Sequence, residues 1–431
     1  MLSIKDGKNK RWFTLAIIVL TIAVMTELPY MRWAMYEPLR LALGMDNATF
    51  GQSMSLFGLL SMLLYIPGGL LADRVSHRKL FAGGAIGGGL LGFWFMTLPS
   101  PTEVMIIHGL WAITNIMMVW PTMIKAVSIL GDESEQGKLF GIFEGSRGVI
   151  LACVTTSMVA ILSVFGSEAA GVSAVIGFLA TASCVCGVLA WFFMADNVEK
   201  DKEEVASFAS IMRDMKMVMK MPSAWVCGGI MFCVYCTYST ATYMNPYMQE
   251  VFGLSAVMTG YLTVIRKDII RIVAAPISGM IATKMGGRNA TVISWFAIAT
   301  IGTVIALLVA PASSDAMILV MAITCVSSFC LYGMRGLYYA VIGEVGTPKY
   351  IYGAVAGFCS VIAFCPDAFN TIIIGGWIDK YGIEGYHMTF YYMMSTLVMA
   401  IILCGVLNRM KKKGIDFPTE EEFKGTLAKA K

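Results

Sequence analysis

Helix-length apolar runs recur along the whole chain, and that recurrence leaves few folds open. Crossing the hydrocarbon core of a bilayer takes about 20 apolar residues, and lipid admits only helices or a closed barrel, because every backbone N–H and C=O must be bonded within the chain. The runs here are helix-length and lie near residues 12–36, 48–72, 80–99, 104–129, 138–163, 170–194, 223–249, 256–283, 290–311, 315–342, 350–377 and 387–408. They predict twelve membrane spans. A chain of 431 residues that is 57% hydrophobic and 14% charged, with a mean hydropathy of +0.72, has too little polar surface for ordinary water-soluble domains.

The first run follows the basic stretch Lys5, Lys8, Lys10, Arg11 and imitates a signal peptide, but it is too long and has no small-residue cleavage site, so it is read as span 1. With a cytoplasmic amino terminus, the inside segments carry Arg74, Arg78 and Lys79, then Lys138, then Lys200, Lys202, Arg213, Lys216 and Lys220, then Lys284 and Arg288, then Lys349, then Arg409 through Lys413. The outside segments carry little beyond Arg40 and Lys380. This asymmetry is the positive-inside pattern, and an even number of spans places both termini in the cytoplasm, with the plasma (bacterial inner) membrane as the expected location. The net charge of +4 gives no nucleic-acid signal; its placement sets topology.

The eleven cysteines sit in apolar runs as small packing residues and suggest no disulfide framework. Cys233 and Cys236 form a C-x-x-C pair without a second pair or nearby histidines, so no metal and no cofactor are expected.

The longest polar interruption, Asp196 to Lys220, falls near the middle and contains an amphipathic stretch, Val205 to Met217, read as a linker helix on the inner membrane surface. The expected organisation is an N-terminal six-helix bundle (1–195), this linker (196–222), a C-terminal six-helix bundle (223–413) and a tail (414–431). Glycines support the division. Gly44 with Gly51 recurs as Gly253 with Gly260, Gly69 recurs as Gly279, and Gly141-x-x-x-Gly145 recurs as Gly353-x-x-x-Gly357, all at an offset of about 210 residues. The fold class read from the chain is therefore an all-α polytopic membrane protein of two pseudo-symmetric six-helix bundles.

At the end of span 2 the sequence reads Gly69-Leu70-Leu71-Ala72-Asp73-Arg74-Val75-Ser76-His77-Arg78-Lys79, which resembles the signature loop of the major facilitator superfamily. With the twelve spans and the repeat, the resemblance covers nearly the whole chain. It implies transport by alternating access, and a cytoplasmic latch in which Asp73, with Gly69, Arg74, Arg78 and Lys79, meets a neighbouring helix end. The chain departs from the pattern at Ser76, where glycine is usual, and at Thr283, where the second copy lacks the acid.

Ionisable residues within the membrane cost about 2.5–3.5 kcal/mol each on insertion scales and mark solute or proton paths. Here the cations are Arg32 in span 1, Lys125 in span 4, Arg147 in span 5, Arg266, Lys267 and Arg271 in span 8, and Arg335 in span 10. The acids are Glu27, Glu144, Asp268 and Asp367, with Glu344 nearer a cytoplasmic end. Positive charge is left over. Glu144 with Arg147, and Asp268 with Arg271, stand at i and i+3, the spacing of a local pair. Lys267 and Arg271 stand at i and i+4, where like charges on an α-helix repel, and Asp268 relieves one of them. An anion would relieve the other.

Aromatic residues accompany the cations: Trp33 and Tyr36, Trp120, Tyr235, Tyr238 and Tyr243, Tyr332 and Tyr339. Within the superfamily, Trp120-Pro121 with Lys125 and Ala356-Gly357-Phe358 resemble the organophosphate and organic-anion branch, in which a span-1 arginine holds phosphate; Arg32 is the nearest match. The span-7 arginine of that branch is missing near Tyr238. The cargo implied is a small organic anion: a sugar acid, carboxylate, sulfonate or phosphate ester. Arginine suits these oxyanions because its planar fork binds them bidentately. Arg32, Tyr36, Trp120, Lys125, Tyr238, Arg266, Lys267, Arg271 and Arg335 are the candidate contacts, and Glu27, Glu144, Asp268 and Asp367 the candidate proton carriers, for either proton symport or anion exchange.

The rival within the same fold is a multidrug or cation exporter, but span 5 lacks the glycine-proline motif of such exporters and carries Arg147. An enzyme is disfavoured because His77, His108 and His387 are scattered, with no nucleophile and base in view. A receptor would carry a sizeable soluble domain, and a monomer in the bilayer is the expected state.

Overall fold

Apolar side chains point outward from most of the helices: Val164, Val309 and Ile318 are 75–82% exposed, a surface that only lipid tolerates. The computed structural model describes residues 8–130, 136–165, 168–194, 214–311, 313–415 and 417–419. Of the expected amphipathic stretch, 214–217 are helical and 205–213 lie outside the described residues, as does the end of the tail.

The described residues form helices joined by short turns. Span 1 is α1 (Lys8–Tyr30) and α2 (Arg32–Ala42), span 2 is α3 (Asn47–Arg74), and span 3 is α4 (His77–Phe95). Span 4 runs from α5 (Pro101–Trp111) through a π-helical segment (Ala112–Val119) into α6 (Trp120–Ser128), while α7 (Gln136–Phe165) and α8 (Glu168–Phe193) are spans 5 and 6. Span 7 is α9 (Pro222–Thr240) and α10 (Met244–Phe252); span 8 is α11 (Ala256–Thr263), a second π-helical segment (Val264–Ile269) and α12 (Ile270–Lys284). Then come α13 (Asn289–Leu308), α14 (Met317–Leu337) with α15 (Ala340–Glu344), α16 (Lys349–Phe364) with α17 (Asn370–Tyr381), and α18 (Ile383–Lys413). Among the described residues nine segments are long and apolar enough to cross a membrane by length and composition. The helix α3, the helix α4 and the continuous α11–α12 rod complete twelve.

By packing, the chain falls into two units. The first gathers Met1–Glu203, Thr242–Ile269 and Asp367–Gly385, and the second gathers Glu204–Ala241, Ile270–Pro366 and Tyr386–Lys431. The first unit thus holds α1 to α8 together with α10, α11, the second π segment and α17. Its core is apolar and set between α1, α4, α6, α7 and α8, with Ile18, Ile22, Met25, Phe81, Val127 and Phe143 buried. The glycine-rich α4 lies directly on α8, where a Cβ at Gly89 would come within 2.7 Å of the Ala180 carbonyl.

The glycines that repeat between the halves have a local cause in two of their pairs. Gly44 and Gly253 adopt φ of +62° and +70°, turns that other residues enter at a cost. Gly51 and Gly260 are sites of close approach: a Cβ at Gly51 would fall inside the Thr371 carbonyl of α17, and one at Gly260 would meet Val159 of α7 at 2.7 Å. The start of α3 is capped by Asp46, whose Oδ1 accepts from the Thr49 N–H at 2.6 Å. The bonds from Thr49 hold that carboxyl below its ordinary value.

In the second unit, α14 packs on α12 and α13, and α9 on α16. Gly333 of α14 rests against Phe296 of α13, and Gly336 against Ala275 of α12. Glu344 is buried and caps α13, accepting from the Ala290 N–H at 2.8 Å, with Lys411 at 3.7 Å.

Candidate functional site

Span 1 is broken where its charges lie. The helix stops at Tyr30 and restarts at Arg32, Met35 is non-helical (φ −139°, ψ 53°), and Pro38 brings no N–H, so backbone carbonyls between the two pieces are released for other partners. Trp33 O uses its freedom to accept from Asn245 Nδ2 of α10 at 2.7 Å and from Thr263 Oγ1 of α11 at 3.3 Å.

Beside it, Arg32 is 3% exposed. Its Nη2 donates to the Tyr243 hydroxyl at 3.1 Å, and its guanidinium carbon lies 4.9–5.7 Å from the ring centres of Phe50, Tyr36 and Tyr243. Nη1 is buried with no hydrogen-bond partner among the described residues, and no carboxylate there pairs with this arginine. Cation–π contact compensates part of the lost hydration, at about 0.5–2 kcal/mol for a desolvated pair, but it supplies no opposite charge.

The second π segment carries the next two cations. Arg266 Nη1 donates to Asn245 Oδ1 at 2.9 Å, so Asn245 joins the Trp33 carbonyl of span 1 to Arg266 of span 8. Lys267 Nζ meets Glu27 Oε1 at 2.7 Å, with both side chains under 10% exposed. Asp268 is also buried. For Lys267 this changes the expectation in which Asp268 relieves one of the two cations and an anion the other, because its counter-charge comes from Glu27 of α1. Arg271 is half-buried on α12.

A third group continues from Tyr36, whose hydroxyl donates to Asn47 Oδ1 at 2.9 Å. The Asn47 N–H and Nδ2 both donate to Asp379 Oδ1, at 3.0 and 2.7 Å, and the Ala48 N–H donates to Asp379 Oδ2 at 2.7 Å. A carboxylate from α17 therefore caps the N-terminus of α3, where the helix dipole favours it. Tyr243 hydroxyl donates to the Thr371 carbonyl at 3.2 Å, and Ser55 and Thr371 hydroxyls lie 2.9 Å apart. Asp367 sits against Gly58 of α3 in the same seam.

In the second unit Arg335 is enclosed by phenols: its guanidinium carbon is 3.8 Å from the centre of the Tyr238 ring, 5.5 Å from Tyr235 and 6.0 Å from Tyr338. Among the described residues no carboxylate pairs with it.

The other candidates separate from these groups. Arg147 pairs with Glu144 at 3.3 Å and lies over the Trp120 ring at 5.4 Å, and Glu144 is 47% exposed, so that pair is local to span 5. Lys125 is half-buried on α6 and stands 210 residues before Arg335, its counterpart in the other half. In the span 2–3 loop Arg74 and Lys79 are exposed, and Arg78 reaches over Trp191 of α8 at 5.7 Å. The Asp73 side chain lies outside the described residues, and a Cβ at Gly69 would meet nothing within 4 Å. Asn47, Asn245 and Asp379 were missed by sequence reasoning. Only Asn245 left a signal, an amide beside Pro246 within an apolar span.

Comparison with known proteins adds to this geometry. The profile of the Major Facilitator Superfamily matches residues 12–365. The chain is 34% identical over 409 residues to the inner membrane protein YqcE of Escherichia coli, covering 94% of this chain and 96% of that one. It is 27% identical over 412 residues to the inner membrane protein YihN of the same organism, covering 94% and 98%. Among solved structures, a bacterial homologue of the human lysosomal transporter Spinster, in an inward-facing and occupied conformation, matches with a TM-score of 0.75 at 14% identity over 96% of this chain and all of that one. A mutant of the nucleoside transporter NupG matches with a TM-score of 0.72 at 13% identity, over 93% and 99%.

Proposed function

Since the chain belongs to the major facilitator superfamily, and so is a multi-pass membrane transporter and no enzyme, we propose that its cargo is a small organic anion moved by alternating access. The classes that fit are a sugar acid, carboxylate, sulfonate or phosphate ester. One observation carries the reading: Arg32 is buried with a donor nitrogen unused, and aromatic rings stand where a counter-ion would. A bound oxyanion supplies the missing acceptor and the missing charge together. Arg335, set among Tyr235, Tyr238 and Tyr338 and paired with no carboxylate among the described residues, is a second candidate contact, in the other unit.

Two sources support the orientation. The basic residues crowd the loops on the side of the termini, and the relatives are inner membrane proteins, so both termini are assigned to the cytoplasm of a bacterial cell. The Asp379 cap on α3 then belongs to the outer face. The nucleoside transporter among the structural neighbours raises a neutral cargo as the alternative, and a cationic drug is the other; neither brings Arg32 a counter-charge.

The test is a thermal-shift screen on the purified protein with gluconate, glucuronate, succinate, benzenesulfonate and glucose 6-phosphate, beside uridine and tetraphenylphosphonium. At least one anion is expected to raise the unfolding temperature saturably in the wild type and to lose that effect in Arg32→Gln. Stabilisation by uridine or tetraphenylphosphonium alone would overturn the reading.

A further inference from the structure

Away from the buried cations, four helix ends of the first unit gather at one face of the membrane. The helix α1 begins at Lys8, α3 ends at Arg74, α4 begins at His77 and α8 ends at Phe193. Each span crosses once, so these ends share a side, and α8 packs along both α1 and α4.

Rings join them across the surface. Phe13 of α1 meets Phe193 of α8 edge to face, with ring centres 5.9 Å apart. Trp191 and Phe192 of α8 are 45% and 65% exposed, and Trp12 and Phe13 are exposed as well. Large rings turned outward at the end of a span suit the level of the lipid headgroups, where tryptophan collects because one part of it is apolar and one part wet.

Cations lie on the same rings. The guanidinium carbon of Arg78 is 5.7 Å from the ring centre of Trp191, and that of Arg11 is 5.2 Å from the ring centre of Trp12. Arg74 and Lys79 are exposed on either side of the turn from α3 to α4. In sequence, residues 8–13, 74–80 and 190–193 hold six lysines and arginines and no acid, with Asp73 adjoining the second stretch. The other end of α3 is different. There Arg40 is bonded to Glu37 at 2.7 Å and to the Met45 carbonyl at 3.0 Å, and the Asp379 carboxylate lies on the helix start.

We propose that this strip of rings and cations is a binding site for an anionic phospholipid, phosphatidylglycerol. Its phosphodiester bonds Arg78, Lys79 and Arg11 add their charge, and its acyl chains run along Trp191, Phe192 and Phe13. A guanidinium stacked on a ring bonds through its edge, in the plane that two oxyanion oxygens match. A zwitterionic lipid brings its own ammonium into the same space, where the cations repel it. Free phosphate carries the oxygens but no hydrocarbon for the rings. The site is independent of the cargo and of the face at which cargo is loaded.

The experiment titrates delipidated protein in a nonionic detergent with phosphatidylglycerol, phosphatidylcholine and inorganic phosphate. It reads the unfolding temperature and the lipid adducts retained in native mass spectrometry. Phosphatidylglycerol is expected to stabilise the wild type saturably and to leave adducts, less so as sodium chloride rises from about 50 to about 500 mM. Phosphatidylcholine and inorganic phosphate should do neither. Arg78→Gln and Lys79→Gln should each lower the affinity for phosphatidylglycerol about fivefold, and Lys380→Gln, at the far end of the spans, should leave it unchanged. Lys79 is exposed, so its variant tests the site even if Arg78→Gln does not fold. An equal response to the two lipids overturns the proposal, as does a preference that Lys79→Gln leaves intact or that Lys380→Gln reduces as much. Stabilisation by inorganic phosphate to the same extent shows an anion site without a lipid and overturns it too.

Discussion

Two arginines, one in each packing unit, sit against tyrosine rings and pair with no carboxylate among the described residues, and they differ in how the tyrosines meet them. Around Arg32 the phenols are wired onward: Tyr243 accepts from the guanidinium and donates to the Thr371 carbonyl, and Tyr36 donates to Asn47, which in turn donates to Asp379. Around Arg335 the rings act as faces, with Tyr238 at 3.8 Å. The same residue pair is thus joined through a phenol oxygen in one unit and stacked against a ring face in the other.

The largest effect should come from removing the wired cation. Arg32→Gln is expected to lower the rate of anion uptake into proteoliposomes about 100-fold or more, in line with the 2–5 kcal/mol lost when one side of a buried charged contact is truncated. Arg32→Lys should not restore it, since an ammonium cannot both bond Tyr243 and present a planar fork. Arg335→Gln should cost about tenfold, and an equal loss at both positions would erase the distinction drawn here.

A smaller effect distinguishes the packing of the two units. Gly51→Ala drives a methyl into the Thr371 carbonyl and is expected to lower stability by about 1–3 kcal/mol, read as a fall in unfolding temperature in detergent. Gly279→Ala, at a helical position where a Cβ meets nothing within 4 Å, should be neutral or raise stability by up to about 1 kcal/mol.

The smallest effect sharpens the comparison most. Tyr243→Phe keeps the ring and removes the hydroxyl, so anion affinity should fall about fivefold, as for one lost hydrogen bond. Tyr238→Phe keeps the ring face that lies 3.8 Å from Arg335 and should lower the affinity less than Tyr243→Phe does.

What could be read from the residues divides along the range of the interactions. The twelve spans, the buried cations and the repeating glycines follow from local composition, and the structure gives Gly44 with Gly253 and Gly51 with Gly260 concrete roles. The i and i+4 argument for Lys267 and Arg271 counted only charges near them in sequence, whereas Glu27 on α1 supplies the one that Lys267 takes. Glu27 and Lys267 were each named from the sequence, but their pairing spans 240 residues. Asp379 was not singled out from the sequence, since only the approach of α17 to α3 sets it on the Asn47 and Ala48 N–H groups.

The seam between α3 and α17 carries a thermal consequence. At Gly51 and Gly375 the helices meet through backbone, so parting them there wets peptide groups and exposes little hydrocarbon to water. Polar exposure lowers heat capacity where apolar exposure raises it. Opening at these positions therefore draws little on the hydrophobic effect, and its balance drifts less with temperature than that of a closure sealed by leucine and phenylalanine. A transporter built this way keeps this seam responsive in the cold.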